Sequence, residues 1–208
     1  MTRSLPTGID VLDRKLNGGI PPGRVVALSA SPTSQSELFL YEVASVQETV
    51  YATTERSVEA VEETLAGLGT ERRTVEVRGV GDDPLTTLRR LLDDVDDRTA
   101  FVVDPVLPLE RQSGPAAYRA FLNDLTDRMI ETGSIAVLHC LDRRTLPENR
   151  DTTEYMADIV FDLSTELRGD SLENRLLVPK FRGGRALEET IKLNLAADVT
   201  IDISRKIA

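Results

Sequence analysis

Ser34, Gln35, Ser36 and Glu37 occupy a position built for phosphate chemistry, without the residue types that chemistry needs. The stretch from Val25 to Tyr41 reads as a buried strand, a tight loop and an amphipathic helix, the layout of a phosphate-binding loop. Such a loop uses glycine where backbone wraps the phosphates, lysine on the β- and γ-phosphates, and Ser or Thr on magnesium. Here Ala30 and Gln35 stand for the two glycines, Ser36 for the lysine and Glu37 for the hydroxyl residue. Ser34-Gln35-Ser36-Glu37 also fits a capping box, with Ser34 accepting from the Glu37 amide and the Glu37 carboxylate reaching back. The carboxylate would then occupy the positive helix end that phosphate uses elsewhere. A phosphate within ~4 Å of Glu37 would meet roughly 4 kcal/mol of repulsion per charge pair. Two readings stay open from these residues: an ordinary capped helix, and a phosphate loop whose chemistry has been replaced.

The elements that position this stretch follow from periodicity. Ile9, Leu12 and Leu16 predict a short helix begun at Thr7 or Gly8 and ended by Asn17-Gly18-Gly19; Pro21-Pro22-Gly23 turns the chain into the central strand. Thr49–Thr53, Thr74–Arg78, Thr99–Asp104 and Ser134–Cys140 read as further strands. Between them, helices are expected from Ser57 to Leu68 (closed by Gly67 or Gly69), from Pro84 to Leu92, and from Pro115 to about Glu131. Alternating strands and helices predict an α/β fold, a mostly parallel sheet with helices on both faces. Ile159–Leu163, Leu172–Lys180, Thr190–Leu195 and Val199–Ile203, with turns at Arg168-Gly169-Asp170 and Arg182-Gly183-Gly184, predict a C-terminal antiparallel extension. Without linker, repeat or low-complexity tract, residues 1–208 are expected to form one domain.

Composition narrows the function classes. The net charge of −10 and pI near 4.7 argue against a nucleic-acid binder with a basic face. Lysine occurs only at positions 15, 180, 192 and 206 against abundant Arg, Asp and Glu, which reads as an acidic surface adapted to high salt. No apolar run spans a bilayer and the N-terminal residues lack a signal-peptide core; a single cysteine, Cys140, fits a reducing cytoplasm.

Several motifs carry a family resemblance. Thr7-Gly8-Ile9-Asp10-Val11-Leu12-Asp13, then Asn17-Gly18-Gly19-Ile20-Pro21-Pro22-Gly23 and a strand at the phosphate-loop position, resemble the opening of the RecA/RadA/KaiC superfamily. Phe101-Val102-Val103-Asp104 resembles its Walker B strand, and Lys180-Phe181-Arg182-Gly183 the Lys-x-Arg-Gly turn of KaiC-like domains. The chain is similar throughout to haloarchaeal members of this group, with a degenerate Walker A loop. The resemblance implies a RecA-type core, ATP and Mg2+ as cofactors, and assembly with sites between subunits. Asp104 would hold a magnesium-bound water in an active relative; otherwise it caps the loop before Pro105. His139 would sense a γ-phosphate, or be a satisfied strand-end residue. Of two carboxylates that activate water in KaiC-like domains, only Glu55 remains, with Arg56 at the second place; Glu55 is a general base by resemblance, or pairs with Arg56, or starts the next helix. Lys180 and Arg182 would reach a nucleotide in the adjoining subunit, or form a charged turn.

The expected function is therefore a RecA/KaiC-like protein with a degenerate nucleotide site, Ser34, Gln35, Ser36, Glu37, Asp104, Lys180 and Arg182, acting as a non-hydrolysing regulatory or interaction module. Self-association or an active relative would be its partner, with no membrane and no nucleic acid expected. Two alternatives remain: an ATP-hydrolysing enzyme in which Arg56, or a neighbour's Lys180 and Arg182, replaces the lysine; and a recombinase-like DNA-repair accessory, favoured by a basic stripe of Arg143, Arg144, Lys180, Arg182 and Arg185.

Overall fold

In the computed structural model, which describes residues 3–68, 74–142, 144–184, 186, 187, 189–195 and 199–201, the strands form one nine-stranded sheet. The five strands β1 (Arg24–Ala30), β2 (Thr49–Thr53), β3 (Val75–Gly79), β4 (Ala100–Asp104) and β5 (Ile135–Leu141) are mutually parallel, and β6 (Ile159–Arg168) adds in parallel beside β1. Antiparallel β7 (Ser171–Phe181), β8 (Ile191–Leu195) and β9 (Val199–Ile201) complete the order β3-β2-β4-β5-β1-β6-β7-β8-β9. The α/β expectation with a C-terminal antiparallel extension holds.

The central strands are continuous apolar runs because both of their faces are covered. Alternation sorts them: Val26, Leu28, Val102 and Val137 join one core cluster, while Ala27, Phe101, Val103 and Leu138 join the other. The first cluster takes α1 (Asp10–Lys15), α2 (Glu37–Val46) and α3 (Val58–Gly67); the second takes α4 (Pro84–Asp93), α5 (Leu107–Gln112) and α6 (Pro115–Thr132). Each fully buried Leu, Val or Phe contributes roughly 1.5–3 kcal/mol.

The opening motif is a clamp. Thr7 donates its amide and hydroxyl to Asp13 Oδ1, both at 2.8 Å, and holds the entry to α1. Leu5 and Ile20 exchange backbone hydrogen bonds at 2.8 Å. This close approach needs Gly19, whose φ is +114° and whose added Cβ would lie 2.1 Å from the Leu5 carbonyl oxygen.

Several boundaries depart from expectation. The first helix starts at Asp10, because Thr7 turns back to Asp13. Helix α5 and helix α7 (Arg150–Met156) were not expected from the sequence; β6 and β7 run on into a hairpin whose two-residue turn uses Gly169 at φ +61°. Gly69, Arg143, Arg185 and the end of the last predicted strand, Asp202 and Ile203, lie outside the described residues. Among the described residues no helix is long and apolar enough to cross a membrane.

Candidate functional site

The parallel strands end together at one edge of the sheet, where open α/β sheets place ligand groups. Ser34 to Glu37 follow β1 there, Asp104 closes β4, His139 lies near the end of β5, and Glu55 and Arg56 follow β2.

The expected capping box is not formed. Ser36, not Ser34, is the residue before α2; it has helical φ and ψ and makes no side-chain cap. Ser34 donates its hydroxyl to the Ser31 carbonyl at 2.6 Å. The amides of Leu38 and Phe39 reach carbonyls of Gln35 and Ser36, so the first turn is closed by backbone rather than by a carboxylate. Gln35 is exposed and Glu37 half-buried.

Ser36 has a tertiary partner instead. Its Oγ lies 2.9 Å from His139 Nε2, and His139 Nδ1 lies 2.6 Å from Asp104 Oδ1. Tyr51 donates its hydroxyl to the other carboxylate oxygen, Asp104 Oδ2, at 2.5 Å. Ser36, His139, Asp104 and Tyr51 are 1%, 3%, 5% and 0% exposed. An acceptor carboxylate fixes Nδ1–H as the donor, so in the neutral ring Ser36 donates to Nε2. Burial pushes the Asp104 carboxyl up, but the hydrogen bond and charge of His139, then Tyr51 and Arg56, outweigh it and hold the carboxyl below its ordinary value. Burial, and then the Asp104 charge, raise the Tyr51 hydroxyl well above its ordinary value, so it remains a donor.

Arg56 is drawn into the same layer. It donates to the Tyr41 hydroxyl at 2.5 Å and to Ala60 O and Thr64 Oγ1 of α3, while the Tyr41 and Tyr51 rings lie 6.0 Å apart. Glu55 is exposed on the bend after β2. A cation on Asp104 would have to displace Tyr51 and His139, and Ser36 offers no positive charge where phosphate would sit. The residues present thus do not fit a magnesium–triphosphate. Among the described residues no group of three or more His, Cys, Asp or Glu could hold a metal ion.

Lys180 and Arg182 are not brought to this edge. Lys180 Nζ donates to the carbonyls of Glu154 and Tyr155 at 2.7 Å, and Arg182 to Tyr155 O at 2.9 Å. They cap the C-terminal turn of α7 beside Asp158, which leads into β6 at the starting end of β1. Burial, and then Arg182, draw the Lys180 ammonium down. Of the five residues of the basic stripe, Lys180 and Arg182 are turned onto α7, and Arg143 and Arg185 lie outside the described residues.

A second buried network escaped the sequence reading. Arg150 makes a two-point pair with Glu110 at 2.9 and 2.8 Å; Thr153 donates to Glu110 at 2.6 Å and meets the Tyr118 hydroxyl at 2.7 Å. It ties α5, α6 and α7 together and reaches Asp142 after β5. Asn149, Asp151, Thr152 and Thr153 are poor helix formers, so propensity gave no signal for α7; only Pro147, shortly before it, marks a helix start.

The model of a family of unknown function (DUF7125) matches residues 4–208. The DNA repair protein RadA of Mycobacterium tuberculosis, in two strains, is 54% identical over 43 residues, which are 21% of this chain and 9% of that protein. The chain therefore covers under a tenth of the length of these curated relatives. A crystal structure of a KaiC-like protein from Pyrococcus horikoshii OT3 aligns with a TM-score of 0.76 at 18% identity, over 97% of this chain and 100% of that one. At that identity the likeness shows the fold alone.

Proposed function

The chain belongs to DUF7125, a family of unknown function, on a KaiC-like RecA fold, and from that premise we propose that it is a non-hydrolysing regulatory or protein-interaction module with a degenerate Walker A loop. The observation that carries this is Asp104. In the working form of such a site this carboxylate faces magnesium; here both of its oxygens accept from buried side chains of the same chain. Hydrogen bonds to charged groups contribute about 1.5–3 kcal/mol each, and a metal would have to replace two of them. It would do so without the glycines, lysine and hydroxyl that phosphoryl transfer relies on. Ser34, Gln35, Ser36 and Glu37 are on this reading a relic loop, and Glu55 a surface carboxylate rather than a base.

The lysine-poor, acidic composition supports a salt-adapted archaeal source. Residues 1–208 act as one domain, and the partner is a second copy or an active RecA/KaiC-like relative. The RadA match favours a second reading, a DNA-repair accessory, but it touches a fifth of the chain, and the net charge of −10 opposes nucleic acid.

Calorimetric titration with Mg-ATP, in molar potassium chloride and at lower salt, tests the main reading. The expected result is no heat and no thermal stabilisation up to millimolar nucleotide. Micromolar binding would overturn it.

A further inference from the structure

Ser36, His139 and Asp104 form more than a plug. Nucleophile to base is 2.9 Å through Nε2, base to carboxylate is 2.6 Å through Nδ1, and Tyr51 anchors the far carboxylate oxygen at 2.5 Å. These are the contacts of a serine–histidine–aspartate relay, recognised by geometry and role rather than by sequence context. Each member also sits where such a relay works: the serine on a strand-to-helix turn, the acid and base at or near the ends of two neighbouring parallel strands, in the chain order Ser, Asp, His. The Glu37 amide, which follows the serine, opens the ten-residue helix α2 and is placed to face a developing oxyanion, whereas the amides of Leu38 and Phe39 already reach the carbonyls of Gln35 and Ser36.

We propose that Ser36 is a base-activated nucleophile that accepts acyl groups from small neutral esters. The proposal rests on the reading that these residues have left nucleotide chemistry. In the first step Ser36 Oγ forms a bond to the acyl carbon while its proton passes to His139 Nε2. The tetrahedral adduct collapses, the bond to the leaving alkoxide breaks, and that oxygen takes the proton back from Nε2. Water then attacks the acyl-serine through the same histidine, releasing the carboxylic acid and restoring the Ser36 hydroxyl. Asp104 holds the ring in the required tautomer and opposes the imidazolium charge. Glu37, half-buried at the next position, disfavours anionic substrates and selects neutral ones. Ser36 is 1% exposed, so an ester reaches its Oγ only by displacing the preceding turn, whose Pro32, Thr33 and Gln35 are exposed.

The test is labelling of the folded protein with diisopropyl fluorophosphate, followed by intact mass and peptide mapping, alongside hydrolysis of 4-nitrophenyl acetate. The expected result is one adduct per chain on Ser36. Its rate should fall at least a hundredfold in Ser36→Ala and in His139→Gln, with circular dichroism confirming that both variants are folded. Wild-type protein that stays unmodified, or a Ser36→Ala variant labelled at the wild-type rate, would overturn the proposal, and the wild-type result decides it even if His139→Gln does not fold. Labelling is measured without nucleotide, so its failure leaves the Mg-ATP titration untouched, and micromolar nucleotide binding is scored separately.

Discussion

Replacing Tyr51 by Phe removes one oxygen from a fully buried side chain and leaves Asp104 Oδ2 without its donor. The ring still fills its place beside Tyr41, so packing is nearly unchanged. What is lost is a hydrogen bond to a charged group, about 1.5–3 kcal/mol, in a position that water does not readily reach. We expect Tyr51→Phe to lose about 2–3 kcal/mol at neutral pH, or about 4–12 °C in Tm for a chain of this size. The pH dependence carries the sharper test. The native Asp104 carboxyl lies below its unfolded value, because His139, Tyr51 and Arg56 overcome the upward push of burial. Its contribution is complete above the unfolded value near 3.9 and disappears as pH falls through the lower native value. Without Tyr51 the native value rises toward the unfolded one, so the gap between variant and wild type should be widest at neutral pH and shrink below pH ~4. Urea midpoints measured from pH 7.5 down to 3 read this directly. A gap below 0.5 kcal/mol, or one that widens on acidification, would refute the account of Asp104 as an internally satisfied carboxylate.

Other perturbations probe the frame. Gly19→Ala should cost at least about 3 kcal/mol, since positive φ and a clash with the Leu5 carbonyl add; Gly81→Ala, at φ +70° with no atom within 4 Å, should cost only about 1–2 kcal/mol, both read by denaturant unfolding. Arg150→Met should lose about 3–5 kcal/mol by stranding Glu110 in the core, and pairing it with Glu110→Leu should recover much of that in a double-mutant cycle.

The strands were legible because β1, β4 and β5 each carry a run of apolar residues that fits a doubly covered sheet, Val25–Leu28, Ala100–Val103 and Ile135–Leu138, and the turns at Gly18-Gly19 and Gly169 announce themselves by residue type. The same rules misread Ser34 and Glu37: the Ser34 hydroxyl turns back to the Ser31 carbonyl and the helix begins two residues later than a capping box there requires, while Ser36 meets His139, 103 residues away. Nothing in the local pattern of Tyr51 or Arg150 says which carboxylate each will meet. Lys180 and Arg182 were legible as a turn, but not as a cap on α7, because that helix is seven residues long and its buried face is made by the charged side chain of Arg150. Long-range polar pairs, not apolar elements, are what a single sequence conceals.

The position of β1 has a consequence for how the chain is made. It is the first sheet strand synthesised, yet its two neighbours are β5 and β6, so no hydrogen-bonded partner exists until residues beyond Ile135 and then Ile159 have appeared. During synthesis at about 5–20 residues per second, the apolar run Val25–Leu28 waits several seconds with both edges open. The Leu5–Ile20 clamp can form meanwhile, because its contacts are local; α2 packs its Phe39 on Phe161 of β6 and waits with the strand. Closure of the sheet is therefore a late event with a high loop-closure cost, and a ribosome stalled before β5 would display an unpaired strand ready to join any other edge it meets.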